Sequence, residues 1–128
     1  MKSDVNNSDY NLENRTSKFS NLIIELCKHI VQDTITKPII SQLVKSGTSV
    51  GANYTEANNA SSRNDFRNKI YICKKEISET KYWLRIIKHN NLAQNTIIES
   101  IQREAEELTL IFGKILSSLK NNSKLKHS

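Results

Sequence analysis

Basic residues recur every seven positions at Arg67, Lys74, Lys81 and Lys88. On a helix that drifts about 20° per heptad, this spacing keeps four positive charges on one slowly winding stripe. At 1.5 Å per residue the stripe is roughly 30 Å long. It could follow a phosphate backbone, whose contacts supply affinity without reading sequence. Arg63 and Arg85 complete the candidate contact set, and Lys69, Lys75 and Arg85 spread the positive field to other faces. Tyr71, Tyr82 and Trp83 are the aromatics placed to stack on bases, although Trp83 suits a core or interface better. A structural reading competes. Lysines beside a buried seam lay their stems along it and pair with acids such as Glu104 and Glu107 on the next helix.

Other chemistry finds less support. Glu76 and Glu79 are spaced i, i+3 and Glu56 could face them, but a helical-bundle di-iron site uses Glu-x-x-His pairs, which this chain lacks. No nucleophile, cofactor motif or oxyanion donor accompanies the carboxylates, so no catalytic residue, cofactor or metal ligand is assigned and the expectation is a non-enzyme. His29, His89 and His127 have no second ligand at metal spacing. Cys27 and Cys73 fall on apolar helix faces, as buried thiols of a reducing compartment would.

The stretch SGTSVGANYTEA, residues 46–57, invites comparison with a phosphate loop. A Walker loop needs GxxxxGK[ST], whereas Gly47 and Gly51 are four apart and followed by Ala52-Asn53. Helical phase explains the stretch better: Gly47 lies in an apolar seam and Gly51 follows the seam residue Val50. Each glycine costs a helix about 1 kcal/mol relative to alanine, which close approach of a neighbouring helix would offset. Ser49, Asn53 and Glu56 run beside the seam. With Glu76 and Glu79 they are the candidates for a structural polar network between helices.

These residues need four elements to carry them. The chain of 128 residues has one proline and three glycines, which suits one helical domain. The first helix reads over 17–36, with Phe19, Ile23, Leu26 and Ile30 on a face widened by Leu22, Ile24, Cys27 and Val31. Pro38 marks the first turn of the second, whose seam is Ile40, Leu43, Gly47, Val50, Tyr54 and Ala57. Ser62 or Asn64 caps the third, with Phe66, Ile70, Cys73, Ile77, Thr80, Leu84 and Ile87 as its seam. Ile98, Ile101, Ala105, Leu108, Phe112, Ile115 and Leu119 form the fourth. Short connections favour antiparallel neighbours, hence an all-α, up-down-up-down four-helix bundle over 17–120 with flexible polar ends at 1–16 and 121–128.

Net charge is +6 and unevenly placed. Residues 1–62 balance, 63–90 carry eight basic and three acidic side chains, and 91–119 are acidic by two. A basic third quarter points to an anionic partner. No apolar run reaches the roughly 18 residues of a membrane span, and the polar start MKSDVNNSDYNLENRTS lacks a signal-peptide core, so a cytoplasmic protein is expected.

Residues 42–87 resemble the four helix bundle protein family, also called the 23S rRNA-intervening-sequence protein family. The likeness rests on S-G-T-S-x-G-A-N-x-x-E-A at 46–57, on Ser62, Asp65-Phe66 and Lys69, and on K-E-x-x-E-T-x-Y-W-L at 75–84. Ile77 stands where a small residue is common, which bears on local packing. The resemblance implies a left-handed bundle that often assembles as a ring-shaped homopentamer. It also implies kinship in fold with the accessory variability proteins of diversity-generating retroelements, basic pentamers that bind nucleic acid and a reverse transcriptase. The expectation is a homo-oligomer that binds RNA or DNA through a basic surface centred on the third helix. The alternative is a protein-binding scaffold or adaptor without nucleic-acid contact.

Overall fold

The computed structural model describes the backbone of residues 2–127 and the side chains of residues 12–121. Four helices form, α1 (Lys2–Lys28), α2 (Thr36–Asn58), α3 (Arg63–His89) and α4 (Asn95–His127). The described residues contain no strand, so the chain is all-α. Each helix packs on two neighbours, in the cycle α1, α2, α3, α4 and back to α1.

The periodic seams become the core. Phe19 and Ile23 of α1, Leu43 and Val50 of α2, Ile70, Ile77 and Leu84 of α3, and Ile98, Leu108 and Phe112 of α4 are fully buried. Both cysteines are buried free thiols. Burial pushes Cys27 up to about 11 and Cys73 up to about 12. Late in α4 the buried position passes from the expected Ile115 to Leu116. A 3.6-residue helix drifts away from a 3.5-residue pattern, and by the last heptad the drift selects the neighbour.

The start and end of α1 both differ from expectation. It stops at Lys28 instead of reaching residue 36, because Asp33 organises the connection. The Asp33 carboxylate accepts the N–H groups of Ile35 at 2.9 Å and Thr36 at 2.8 Å, bonds that hold it below the usual carboxylate range, Thr36 first. Val31 and Ile35, 79% and 71% exposed, therefore leave the core face. At the other end, Leu12 and Thr16 are buried, so the packed part of α1 begins before residue 17. The expectation of flexible ends at 1–11 and 122–128 lies outside the described side chains.

The glycine-rich stretch meets α1. A Cβ on Gly47 would stand 2.8 Å from Ile23 Cγ1 and 3.2 Å from Ile23 Cβ. One on Gly51 would stand 3.3 Å from the Thr16 carbonyl oxygen. Ser20 donates to the Gly47 carbonyl at 3.3 Å across the same contact. Absent side chains let the two backbones approach, the return expected for the helical cost of glycine.

Between α2 and α3 only part of the expected polar network forms. Ser49 donates to the Lys45 carbonyl at 2.7 Å and Asn53 to the Ser49 carbonyl at 2.9 Å, both within α2. A short polar side chain on a helix reaches the carbonyl four residues back without needing a partner helix. Only Glu56 of the proposed network crosses, to Lys69 at 2.7 Å. Glu76 and Glu79 make no ion pair among the described residues. Two buried links join the helices: Ser46 to Thr80, their hydroxyl oxygens 3.0 Å apart, and the Cys73 thiol donating to the Val50 carbonyl at 3.5 Å.

Candidate nucleic-acid interface

α3 owes its orientation to a cap and a seam. Ser62 accepts the Asp65 N–H at 3.0 Å, fixing the start of the helix. The apolar seam then turns one side inward and sets the charged positions around the remainder. At 100° per residue, Asp65, Glu76 and Glu79 fall toward the flank that meets α2, where Lys69 binds Glu56. Arg67, Lys74, Lys81 and Lys88 fall on the flank that meets α4.

That flank divides into two halves. Lys81 pairs with Glu106 at 3.3 Å and Lys88 with Glu99 at 3.0 Å. The acids expected to meet these lysines, Glu104 and Glu107, are instead taken by Arg15 of α1. Its guanidinium donates to both Glu104 oxygens, at 3.0 and 2.8 Å, and to Glu107 at 2.8 Å. These bonds, Glu104 foremost, raise the Arg15 pKa. Spacing alone does not mark Arg15, Glu99 and Glu106 as the pairing residues, because pairing depends on the relative height of helices far apart in sequence.

The other half carries no such compensation. Between Leu108 and Asn121 the chain contains no Asp or Glu. A groove of about 580 Å³ opens there between α3 and α4, with Arg67, Tyr71 and Lys74 on one wall and Gly113, Ser117 and Lys120 on the other. No carboxylate lines it. Lys74 has no ion pair among the described residues, and Arg67 donates to the neutral side-chain amide oxygen of Asn64 at 2.6 Å. Nothing stands within 4 Å of where a Gly113 Cβ would be, so this glycine widens the groove instead of admitting a neighbouring helix. Lys120 and Gly113 were not anticipated; the acid-free run after Glu107 is the signal that marks them.

Arg63 and Arg85 flank the set without entering the groove. Arg63 donates to the Leu119 carbonyl at 3.2 Å, tying the start of α3 to α4. The Arg85 guanidinium sits 5.8 Å from the centre of the Tyr82 ring. Tyr71 and Tyr82 are 56% and 46% exposed on the outward face, whereas Trp83 packs against the core and meets Tyr82 edge-on at 4.9 Å. Three interleaved features result: two exposed rings, a row of basic side chains, and a groove of uncompensated charge.

A four-helix all-α domain with a polarised basic helix is the class that fold and surface define. The chain belongs to the 23S rRNA-intervening sequence protein family, whose model matches residues 8–114. It is also similar to a solved protein of unknown function from the S23 ribosomal protein family of Bacteroides thetaiotaomicron. The two are 34% identical, superpose with a TM-score of 0.76, and share 81% of this chain and 96% of the other. No curated protein matches the chain. Among the described residues, no helix is long and apolar enough to cross a membrane.

Proposed function

We propose that this protein is a non-enzymatic, cytoplasmic bundle of up-down-up-down topology that binds RNA or DNA through the α3 surface. The observation that carries the reading is the carboxylate-free groove shared by Arg67, Lys74 and Lys120. Three cations facing solvent with no compensating acid repel one another, and a phosphate backbone relieves that repulsion while releasing its own counterions. Lys81 and Lys88 serve as secondary contacts, since each must first leave an acid of α4. Assembly as a ring-shaped homo-oligomer, the pentamer that the family resemblance implies, would repeat the groove and convert modest contacts into avidity. A reverse transcriptase remains a partner by that resemblance alone.

Titrating labelled RNA and DNA with the purified protein across a salt series tests the reading. Affinity should fall steeply as salt rises, whereas absence of binding at low salt would overturn it.

A second reading, the protein-binding scaffold, has its own observation. Leu22, Leu26, Leu92 and Ile97 line a mostly apolar pocket of about 650 Å³ at the end of the bundle opposite the basic groove. Recovery of a protein partner that survives nuclease treatment, with no nucleic acid co-purifying, would favour the scaffold.

A further inference from the structure

We propose that the outward face of α3 takes single-stranded nucleic acid, with bases stacked on Tyr71 and Tyr82. The inference rests on the nucleic-acid reading above and specifies the class of strand. The two tyrosines are the exposed aromatics of α3, at 56% and 46% exposure. They stand eleven residues apart, which is three helical turns, so the rings project within about 20° of each other and about 16 Å apart along the axis. Between them along the helix lie Lys75 and Ser78 on the same face and Lys74 toward the α4 flank, and Arg85 sits beyond Tyr82. The α3 acids lie on the α2 side, but Glu79 borders the outward face within one turn of Lys75 and Tyr82, so the phosphate path runs on the Lys74 and Arg85 side of the tyrosines.

Strand class follows from what a convex helix face can reach. In a duplex the base faces are stacked on one another, and a protein meets only base edges and the backbone. A tyrosine ring on an outward helix face gains nothing from a base it cannot stack on. In a single strand the bases can be splayed onto aromatic rings, and every base has a face to offer. A separation of about 16 Å corresponds to about five nucleotides at 3.4 Å per stacked step, and fewer in a stretched strand. Tyr82 is braced by the Trp83 edge at 4.9 Å, and Arg85 at 5.8 Å from its ring lies within reach of the phosphate of a nucleotide stacked there. The groove holding Arg67 and Lys120 adjoins Tyr71 and continues the path along the backbone.

The test compares a mixed-sequence oligonucleotide, as RNA and as DNA, with its own duplex, by anisotropy at matched salt. Wild-type protein should bind one or both single strands at least about tenfold more tightly than the duplex. Tyr71→Ala and Tyr82→Ala should each weaken single-strand binding by about tenfold, with Tyr→Phe at either site keeping most of it because the stacking ring remains. Both side chains are exposed, and circular dichroism of each variant checks that the fold is intact. Equal affinity for duplex and single strand would overturn this inference while leaving the nucleic-acid reading in place. Retained affinity in both alanine variants would do the same. Failure to bind any nucleic acid would overturn both.

Discussion

Gly47 of α2 faces Ile23 of α1 so closely that a Cβ added to the glycine would lie 2.8 Å from Ile23 Cγ1. Ile23 is fully buried, so it cannot swing into solvent to make room. The three glycines of the chain should therefore respond differently to alanine. Gly47→Ala should destabilise by about 1–3 kcal/mol through overpacking, despite its gain in helix propensity. Gly113→Ala, with nothing within 4 Å, should stabilise by up to about 1 kcal/mol. Gly51→Ala should fall between them, since the Thr16 backbone 3.3 Å away must yield slightly. Urea denaturation of the three variants checks the order.

The buried Ser46–Thr80 pair should show coupling. Each hydroxyl keeps a backbone acceptor, Glu76 for Thr80 at 2.8 Å and Leu43 for Ser46 at 3.3 Å, so Ser46→Ala or Thr80→Val removes one buried hydrogen bond and should cost about 0.5–1.5 kcal/mol. The double variant should cost less than the sum of the singles, a non-additivity read directly from a double-mutant cycle.

Arg15 joins α1 to α4 by two-pronged contact with Glu104 and a further bond to Glu107. Arg15→Gln should cost about 1 kcal/mol at low salt, with the loss shrinking as salt rises. A salt series of denaturation midpoints, compared with that of the wild type, checks it.

The thiols impose a pH dependence. Cys27 and Cys73 ionise at about 11 and about 12 in the fold, against an ordinary value of 9.0. A raised folded pKa means that the unfolded chain loses its proton first as pH rises. The stability that these thiols contribute is therefore constant below pH 9.0 and declines from there through about 11 to 12. Native protein should also resist thiol reagents at neutral pH, and denaturation should expose both cysteines to them.

Much of this structure could be read from spacing, and what could not depended on register. Phe19, Ile23, Leu43, Ile70, Leu84 and Phe112 announce their burial by three-and-four periodicity, and Ser62 announces its cap. The end of α1 was obscured because Val31 and Ile35 continue an apolar pattern that Asp33 interrupts with side-chain hydrogen bonds. Its packed beginning was obscured by polar composition, since Arg15 and Thr16 look like a frayed end until Glu104 and the close backbone of α2 are in view. The basic stripe was legible as a set, but its division was not. Whether Lys81 or Lys74 meets an acid depends on the height at which α4 stands beside α3, which no local pattern states.

That division leads to the most direct measurement. The slope of log affinity against log salt for a bound nucleic acid counts the phosphate contacts. Lys74→Gln with Lys120→Gln should lower affinity and reduce the magnitude of the slope by about 1 to 2, whereas Glu106→Gln should free Lys81 and strengthen binding. Unchanged affinity and slope in the Lys74 and Lys120 variant would contradict the assignment of this groove as the nucleic-acid interface.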